Sequence, residues 1–470
     1  MTANKFAHDD ASVVVVIGSG AGGGVLASEL CRLGVPVVLL EAGKRYSIAD
    51  FRNDEWFAFQ QLSWLDKRHA SGTWAPAQNS PDFPAWTVKA VGGTSVHWGA
   101  LAFRMREHEL RARTTYGAIE GTTLVDWPVS SSELAPWYAK AEDALGVTGT
   151  HGIPLLPVSN NYIVLHAGAK RAGYARIAND RHAINSRPRD GRPSCLQLGF
   201  CSQGCKTAAK WSTLYTAIPQ AERTGRLDLR SECTALRIAT DEKGRAVGVE
   251  YVDREGSRHL QRARVVCLAA GAIETPRLLL LSESSRHPDG LANGSGQVGR
   301  NFMKHVNGSV FGLFEKPVHM ERGVQMCGTV YDEDGHDPKR GFAGGYLMQG
   351  VSLGLPFLAA VAKPGAWGRD FTRFLEQYSH LSGIWLNGED MPRAGNAITL
   401  HATTRDAHGL PVANVHVDEH PNDLALRAHF YRQARGVLEA AGATDVLEGG
   451  SLPASHPMGT CRMSAAPEGG

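Results

Sequence analysis

The chain has 470 residues, enough for two cores, since a domain usually holds roughly 100 to 200. Its 49 basic and 47 acidic residues are scattered, which argues against a nucleic-acid or anionic-membrane partner, and 43% hydrophobic content supports sizeable cores. Glycine is abundant, at 53 residues where roughly 7% is ordinary, so many positions must turn sharply or approach a ligand closely.

The N-terminus, MTANKFAHDD, has neither the basic start nor the cleavage site of a secretory signal, so by sequence alone the protein is cytoplasmic. The best apolar run, GLPFLAAVA at 354–362, holds a proline and falls short of the roughly 20 residues that span a bilayer. No transmembrane segment is expected. Eight cysteines are too few for a disulfide framework.

Residues 13–45 read VVVVIGSGAGGGVLASELCRLGVPVVLLEAGKR. The opening run suits a strand buried on both faces, as in a parallel sheet. Gly18, Gly20 and Gly23 follow with G-x-G-x-x-G spacing, then a helix with Leu26, Leu30 and Leu33 on one stripe, then a strand ending at Glu41. Such glycines permit the tight turn and let backbone N–H groups reach a pyrophosphate at the helix N-terminus. Glu41 is placed to accept hydrogen bonds from an adenosine ribose. The unit predicts dinucleotide binding without separating FAD from NAD.

AVGGTSVHWGALAFR at 90–104 is a second glycine-rich loop, carrying Gly92, Gly93, Thr94 and His97. Gly92 and Gly93 admit close backbone approach to a ligand. No second glycine triad follows, as an NAD(P) site beside a flavin would need. A helix beginning SSSELAPWYAKAEDALGV has a capping box, Ser130 with Glu133, and sets Leu134, Trp137, Tyr138, Ala141 and Leu145 on one packing face.

Cys195, Cys201 and Cys205 cluster within CLQLGFCSQGCK. Three thiolates at this spacing suit a 3Fe–4S cluster, but structural or free thiols are the preferred reading. Residues 226–270 read as strands around a Lys-Gly turn, and RVVCLAAGAIETPRLLLLS as strand, glycine turn and helix. Short strands and Gly/Pro loops fill 305–420, and a capped amphipathic helix follows, with Leu426, Phe430, Val437, Leu438 and Ala441 inward. Near the end stands SHPMGTCRM, where Pro457 biases His456 toward extended backbone and displays its imidazole on a turn.

In fixed order, VIGSGAGGG, VGGTSVHWGALAFR, DWPVSSSELAPWYAKAEDALGV, CLQLGFCSQGCKTAAKWST, AAGAIETPRLLLLS, VGRNFMKH and SHPMGTCRM resemble the glucose-methanol-choline (GMC) oxidoreductases, and within them the bacterial FAD-dependent sugar, polyol and gluconate dehydrogenases. The resemblance covers nearly the whole chain. It implies an α/β protein with a Rossmann-like FAD-binding domain, at 12–305 and 445–470, and an α+β substrate-binding domain with a mostly antiparallel sheet at 306–444. It further implies FAD as cofactor and His456 as catalytic base, a role suited to an imidazole whose ordinary pKa is about 6.5.

Some relatives join the histidine matching His97 covalently to the flavin, but noncovalent packing is the preferred expectation here. Certain sugar dehydrogenases carry a cluster at similar cysteine spacing with Pro after the last cysteine, where this chain has Lys206. The family continues for about fifty residues beyond the histidine motif, with a second catalytic His or Asn, and this chain is expected to lack that segment. A dehydrogenase passing electrons to a non-oxygen acceptor is expected, with an oxygen-using oxidase or a catalytically incomplete FAD-binding subunit as alternatives. A small subunit and a cytochrome are the implied partners, and an exported partner would carry the chain to the periplasm.

Overall fold

The computed structural model describes residues 4–59, 63–73, 85–354, 358–359, 362–450 and 455–470; most of the run GLPFLAAVA lies outside them. Strand Val14–Ile17 sits at the centre of a four-stranded parallel sheet, flanked by Val265–Leu268 on one side and by Val37–Glu41 and then Leu227–Ser231 on the other. Alternation divides its side chains between two cores. Val14, Val16, Val37 and Leu39 pack against Ala27 and Cys31 of helix Ala21–Arg32 and Ile218 and Ala221 of helix Ala217–Arg223. Val13, Val15, Ile17, Val38 and Leu40 pack instead beneath Ile238, Val249 and Tyr251. These belong to an antiparallel sheet of Thr234–Thr240, Ala246–Val252 and Arg258–Arg262, whose first turn is the expected Lys243-Gly244. A strand covered on both faces in this way reads as an unbroken apolar run.

The first helix departs from the expected stripe. Leu26 and Leu33 are exposed, and the buried face is Gly23, Gly24, Ala27 and Cys31. Small residues face the sheet because the helix lies close upon it: a Cβ on Gly23 would stand 1.9 Å from the carbonyl oxygen of Gly18. The helix Ser131–Leu145 has its capping box, with Ser130 accepting from the Glu133 amide, but Trp137 and Ala141 face solvent. Glu142 is buried in their stead, bonded through both carboxylate oxygens to Arg104 at 2.7 and 2.5 Å.

The second large sheet has six antiparallel strands in the order Asp445–Gly449, Val306–Leu313, Leu381–Gly388, Tyr346–Val351, Met326–Val330 and Ile177–Ala178. Helices Asn160–Arg171 and Pro421–Ala441 cover one face through Leu165, Ala169, Leu426, Phe430, Val437 and Leu438. They pack tightly, for a Cβ on Gly168 would lie 2.2 Å from the Val437 oxygen. Strand Asp445–Gly449, expected with the first part of the chain, pairs with Val306–Leu313 and so completes this sheet. Its neighbours along the chain mislead because helix Pro421–Ala441 ends at Gly442, whose φ of +99° reverses the chain back onto that edge.

Candidate active site

Two glycine loops meet at the carboxyl ends of the parallel strands. Gly18 leaves its strand at φ +95°, where a Cβ would strike the Ala269 oxygen at 2.5 Å. Gly20 caps the helix, and Gly93, at φ +52°, lies against it so closely that a Cβ there would fall 2.7 Å from the Gly20 Cα. A Cβ on Gly20 itself meets nothing nearer than 3.8 Å. Protein therefore forbids a side chain at Gly18 and Gly23, whereas the space beside Gly20 is open, as a cradle for a ligand requires.

Polar residues tie the loops together. The buried Glu41 carboxylate accepts the Ser19 hydroxyl at 2.6 Å and amide at 3.0 Å on one oxygen and the Gly43 amide at 2.9 Å on the other. Burial pushes its pKa up while these bonds hold it down. A carboxylate has about four acceptor sites, so capacity remains for a ribose hydroxyl. The Gly92 amide donates to the Ser19 hydroxyl at 3.0 Å, Thr213 donates to the Ser19 carbonyl at 2.8 Å, and Ser95 closes its own turn onto the Gly92 carbonyl. Thr94 is exposed on the short 3₁₀ turn between them. Ser19, Ser95, Ser212 and Thr213 are functional neighbours that motif reading passed over, although each lies inside a quoted motif.

His97 follows directly and is buried. Its Nδ1 lies 2.6 Å from the Ser202 carbonyl, which only accepts, so the proton sits on Nδ1 and Nε2 carries a lone pair. That Nε2 is buried and has no partner among the described residues, as expected where a group from a cofactor completes the contact. Burial lowers this imidazole to about 4, with Ser202 opposing and Lys210 adding to the shift. Lys210 braces the loop, donating to the carbonyls of Val96, Trp98 and Cys201 at 2.9, 2.9 and 2.5 Å.

The cysteine loop thus touches the His97 loop through Ser202 and Cys201. All three cysteines are free thiols partly buried against one apolar cluster, and burial pushes Cys195 up to about 12 and Cys201 upward.

His456 stands where the two large sheets approach. Its side chain is exposed to solvent, although protein packs densely around it. Those surroundings lower its pKa to about 4, with His305 pushing the same way, and solvent access tempers the shift. At neutral pH the imidazole is uncharged and able to accept a proton.

The backbone of its turn is clamped. Met303 and Met458 exchange two backbone hydrogen bonds at 2.9 and 3.0 Å, Thr460 donates to the Ala272 carbonyl at 2.6 Å, and Gly459 at φ +93° lies so near Asn301 that a Cβ would come within 1.9 Å of its oxygen. The Ala269–Ala272 turn that packs on Gly18 therefore also anchors the histidine motif. His305, itself in the left-handed region at φ +65°, sets its ring edge-on to His456 with centroids 5.2 Å apart. It is a site residue that sequence reading missed; VGRNFMKH held it, but no local signal aims it at a histidine some 150 positions away.

Two family models described as GMC oxidoreductase match residues 21–307 and 392–470. A 2-methyl-1,2-propanediol dehydrogenase of Mycolicibacterium austroafricanum is 32% identical over 98% of this chain and 87% of its own length. The fructose dehydrogenase large subunit of Gluconobacter japonicus is 29% identical over 92% of this chain and 84% of its own. Among solved structures, a formate oxidase variant of Aspergillus oryzae RIB40 superposes with a TM-score of 0.65 at 15% identity, over 98% of this chain and 90% of that one, which shows the fold. The protein is thus a flavoprotein oxidoreductase of the class acting on CH–OH donors. It belongs to the GMC oxidoreductase family. Among the described residues no helix is long and apolar enough to cross a membrane.

Proposed function

We propose that the chain oxidises a CH–OH group of a polyol, sugar or sugar acid and passes the electrons to an acceptor other than oxygen. The observation that carries this reading is His456: a solvent-exposed imidazole set edge-on to His305, on a turn that Met303 and Met458 clamp through two backbone bonds. When bound, FAD supplies the acceptor for the hydride that leaves the substrate carbon. Gly18, Gly20 and Gly23 with Gly92, Gly93 and Thr94 are the residues that would hold it, with Glu41 on the ribose and His97 packed noncovalently beside the ring. Their fit rests on the open face of Gly20 and on the unpartnered, buried Nε2 of His97.

His456 removes the substrate hydroxyl proton. As the carbon–hydrogen bond is lost, positive charge would build on a hydroxyl oxygen that kept its proton, and transfer to the imidazole relieves it. His305 acts through His456 as a positioning residue, limiting rotation of its ring. In this reading residues 12–305 and 445–470 form the flavin part and 306–444 the substrate part, with Asp445–Gly449 lending its strand to the latter's sheet. The relatives named for a diol and for fructose support the substrate class, and the name of the latter as a large subunit supports a smaller partner subunit, with a cytochrome proposed as the electron acceptor.

Anaerobic mixing with fructose, gluconate and a 1,2-diol tests the proposal. At least one should bleach the flavin, and a quinone dye should restore its colour faster than oxygen does. Rapid stoichiometric peroxide formation would instead make it an oxidase, and failure of every alcohol to bleach the flavin would leave only a binding subunit. Cys195, Cys201 and Cys205 are read as thiols, so freshly purified protein should contain little iron. About three irons per chain, lost in Cys201→Ser, would overturn that reading.

A further inference from the structure

The short helix Glu107–Leu110 meets the end of strand Leu381–Gly388, and there His108, Glu109 and Glu389 converge. One ligand atom from each lies within 4.8 Å of the other two, and all three side chains are partly open to solvent. The set holds one imidazole and two carboxylates, and the reaction proposed above uses none of them.

Each side chain is held by a hydrogen bond that leaves a lone pair free. The His108 Nε2 lies 3.2 Å from the Asp334 carbonyl, which only accepts, so Nε2 carries the proton and Nδ1 the lone pair. Imidazoles bound to metal ions characteristically donate their other N–H to a carbonyl in this way, which fixes the tautomer. Glu109 accepts the Arg106 amide at 2.5 Å on one oxygen. Glu389 accepts the Tyr116 hydroxyl at 2.7 Å on one oxygen and the Gly345 amide at 2.9 Å on the other. With about four acceptor sites to a carboxylate, both keep capacity for a ligand.

Charge points the same way. Among the described residues neither Glu109 nor Glu389 pairs with a lysine or arginine, because the guanidiniums of this region are committed: Arg106 and Arg176 to Asp334, Arg111 to Glu107 and Arg340 to Glu333. Two neighbouring carboxylates repel, and a cation between them replaces that repulsion with attraction.

We infer that His108, Glu109 and Glu389 form a binding site for one divalent transition-metal ion of the zinc type, with water in its remaining positions. The imidazole selects against Mg²⁺ and Ca²⁺, which prefer oxygen ligands throughout. Zinc bonds of about 2.1 Å set tetrahedral ligand atoms roughly 3.4 Å apart, so the three side chains must close by at most about 1.4 Å, within reach of rotation for partly exposed groups. His108 and Glu109 come from the first part of the chain and Glu389 from the six-stranded sheet, where Gly388 pairs with Val306, the neighbour of His305. The ion is therefore a cross-link between these two parts, structural rather than catalytic.

Calorimetric titration of flavin-loaded protein, freed of any affinity tag and dialysed against a chelator, with zinc chloride and magnesium chloride tests it. One Zn²⁺ per chain should bind with a Kd of roughly 1 μM or below, and Mg²⁺ at least roughly 10³-fold more weakly. Saturating Zn²⁺ should raise the melting temperature by roughly 2 °C or more. Glu389→Gln, which is nearly isosteric, and His108→Ala, on the other element, should each keep their flavin, weaken Zn²⁺ by roughly 10² or more and lose the thermal shift. Tyr116→Phe should weaken Zn²⁺ by roughly tenfold, since it removes only a bond to a ligand. No heat from Zn²⁺ up to about 1 mM, Mg²⁺ binding as tightly as Zn²⁺, or a Zn²⁺ Kd unchanged in either Glu389→Gln or His108→Ala would overturn the inference.

Discussion

Replacing His456 with alanine should slow anaerobic reduction of the flavin by alcohol by roughly 10² or more, about 2.7 kcal/mol of barrier, while flavin content and spectrum stay unchanged. The loss is confined to the proton step because the turn holding His456 is fixed by its neighbours: Met458 exchanges backbone bonds with Met303, and the Thr460 hydroxyl donates to the Ala272 carbonyl, whatever the side chain at 456. His305→Leu keeps an apolar wall against His456 but removes the edge contact at 5.2 Å, so a smaller loss is expected, with the substrate KM little changed. Stopped-flow absorbance of the flavin measures both. A His456→Ala rate within about threefold of wild type would place the base elsewhere.

Substitutions at Gly23 and Gly20 should both yield colourless protein, for different reasons. In Gly23→Val the new Cβ would lie 1.9 Å from the Gly18 oxygen and 2.9 Å from the Ala269 side chain, so helix and strand must part. Destabilisation of roughly 3 kcal/mol or more is expected, together with loss of flavin. Gly20 sits at φ −62°, and its added side chain has room. Gly20→Val should therefore melt within roughly 1 kcal/mol of the flavin-free wild type and fail to retain FAD, because the side chain fills the space a pyrophosphate needs. Flavin content after gel filtration, read beside thermal denaturation of the apo forms, separates the two. A fully yellow Gly20→Val would mean that the cofactor does not lie against this loop.

The parts of this protein legible in the sequence are those whose chemistry is local. A strand, three glycines and an acid within some 30 residues specify one supersecondary unit, and the strand of valines is where it was expected, buried on both faces. Helix periodicity was less reliable. Leu26 and Leu33 made a plausible inner stripe, but close approach to the sheet reserves that face for Gly23, Gly24 and Ala27, and a hydrophobic pattern does not encode which small residues must be inside. Trp137 fails likewise, because Arg104, far off in sequence, pairs with Glu142 and turns that side inward.

Long-range pairing hid the rest. Asp445–Gly449 finds its partner strand more than 130 residues earlier, and His305 meets His456 only because two clamped turns cross.

The role of His456 is tested most directly by the pH dependence of flavin reduction under anaerobic, substrate-saturated conditions. Protein surrounding the ring and the neighbouring His305 both disfavour the imidazolium, so the reactive neutral form should persist below the ordinary histidine value of about 6.5. The wild-type rate should be level through neutral pH and fall as pH drops through that lowered pKa, and His456→Ala should lose this acid limb along with most of its rate. An acid limb that survives unchanged in His456→Ala, or a wild-type rate that rises as the solution is made more acidic, would contradict a base at this position.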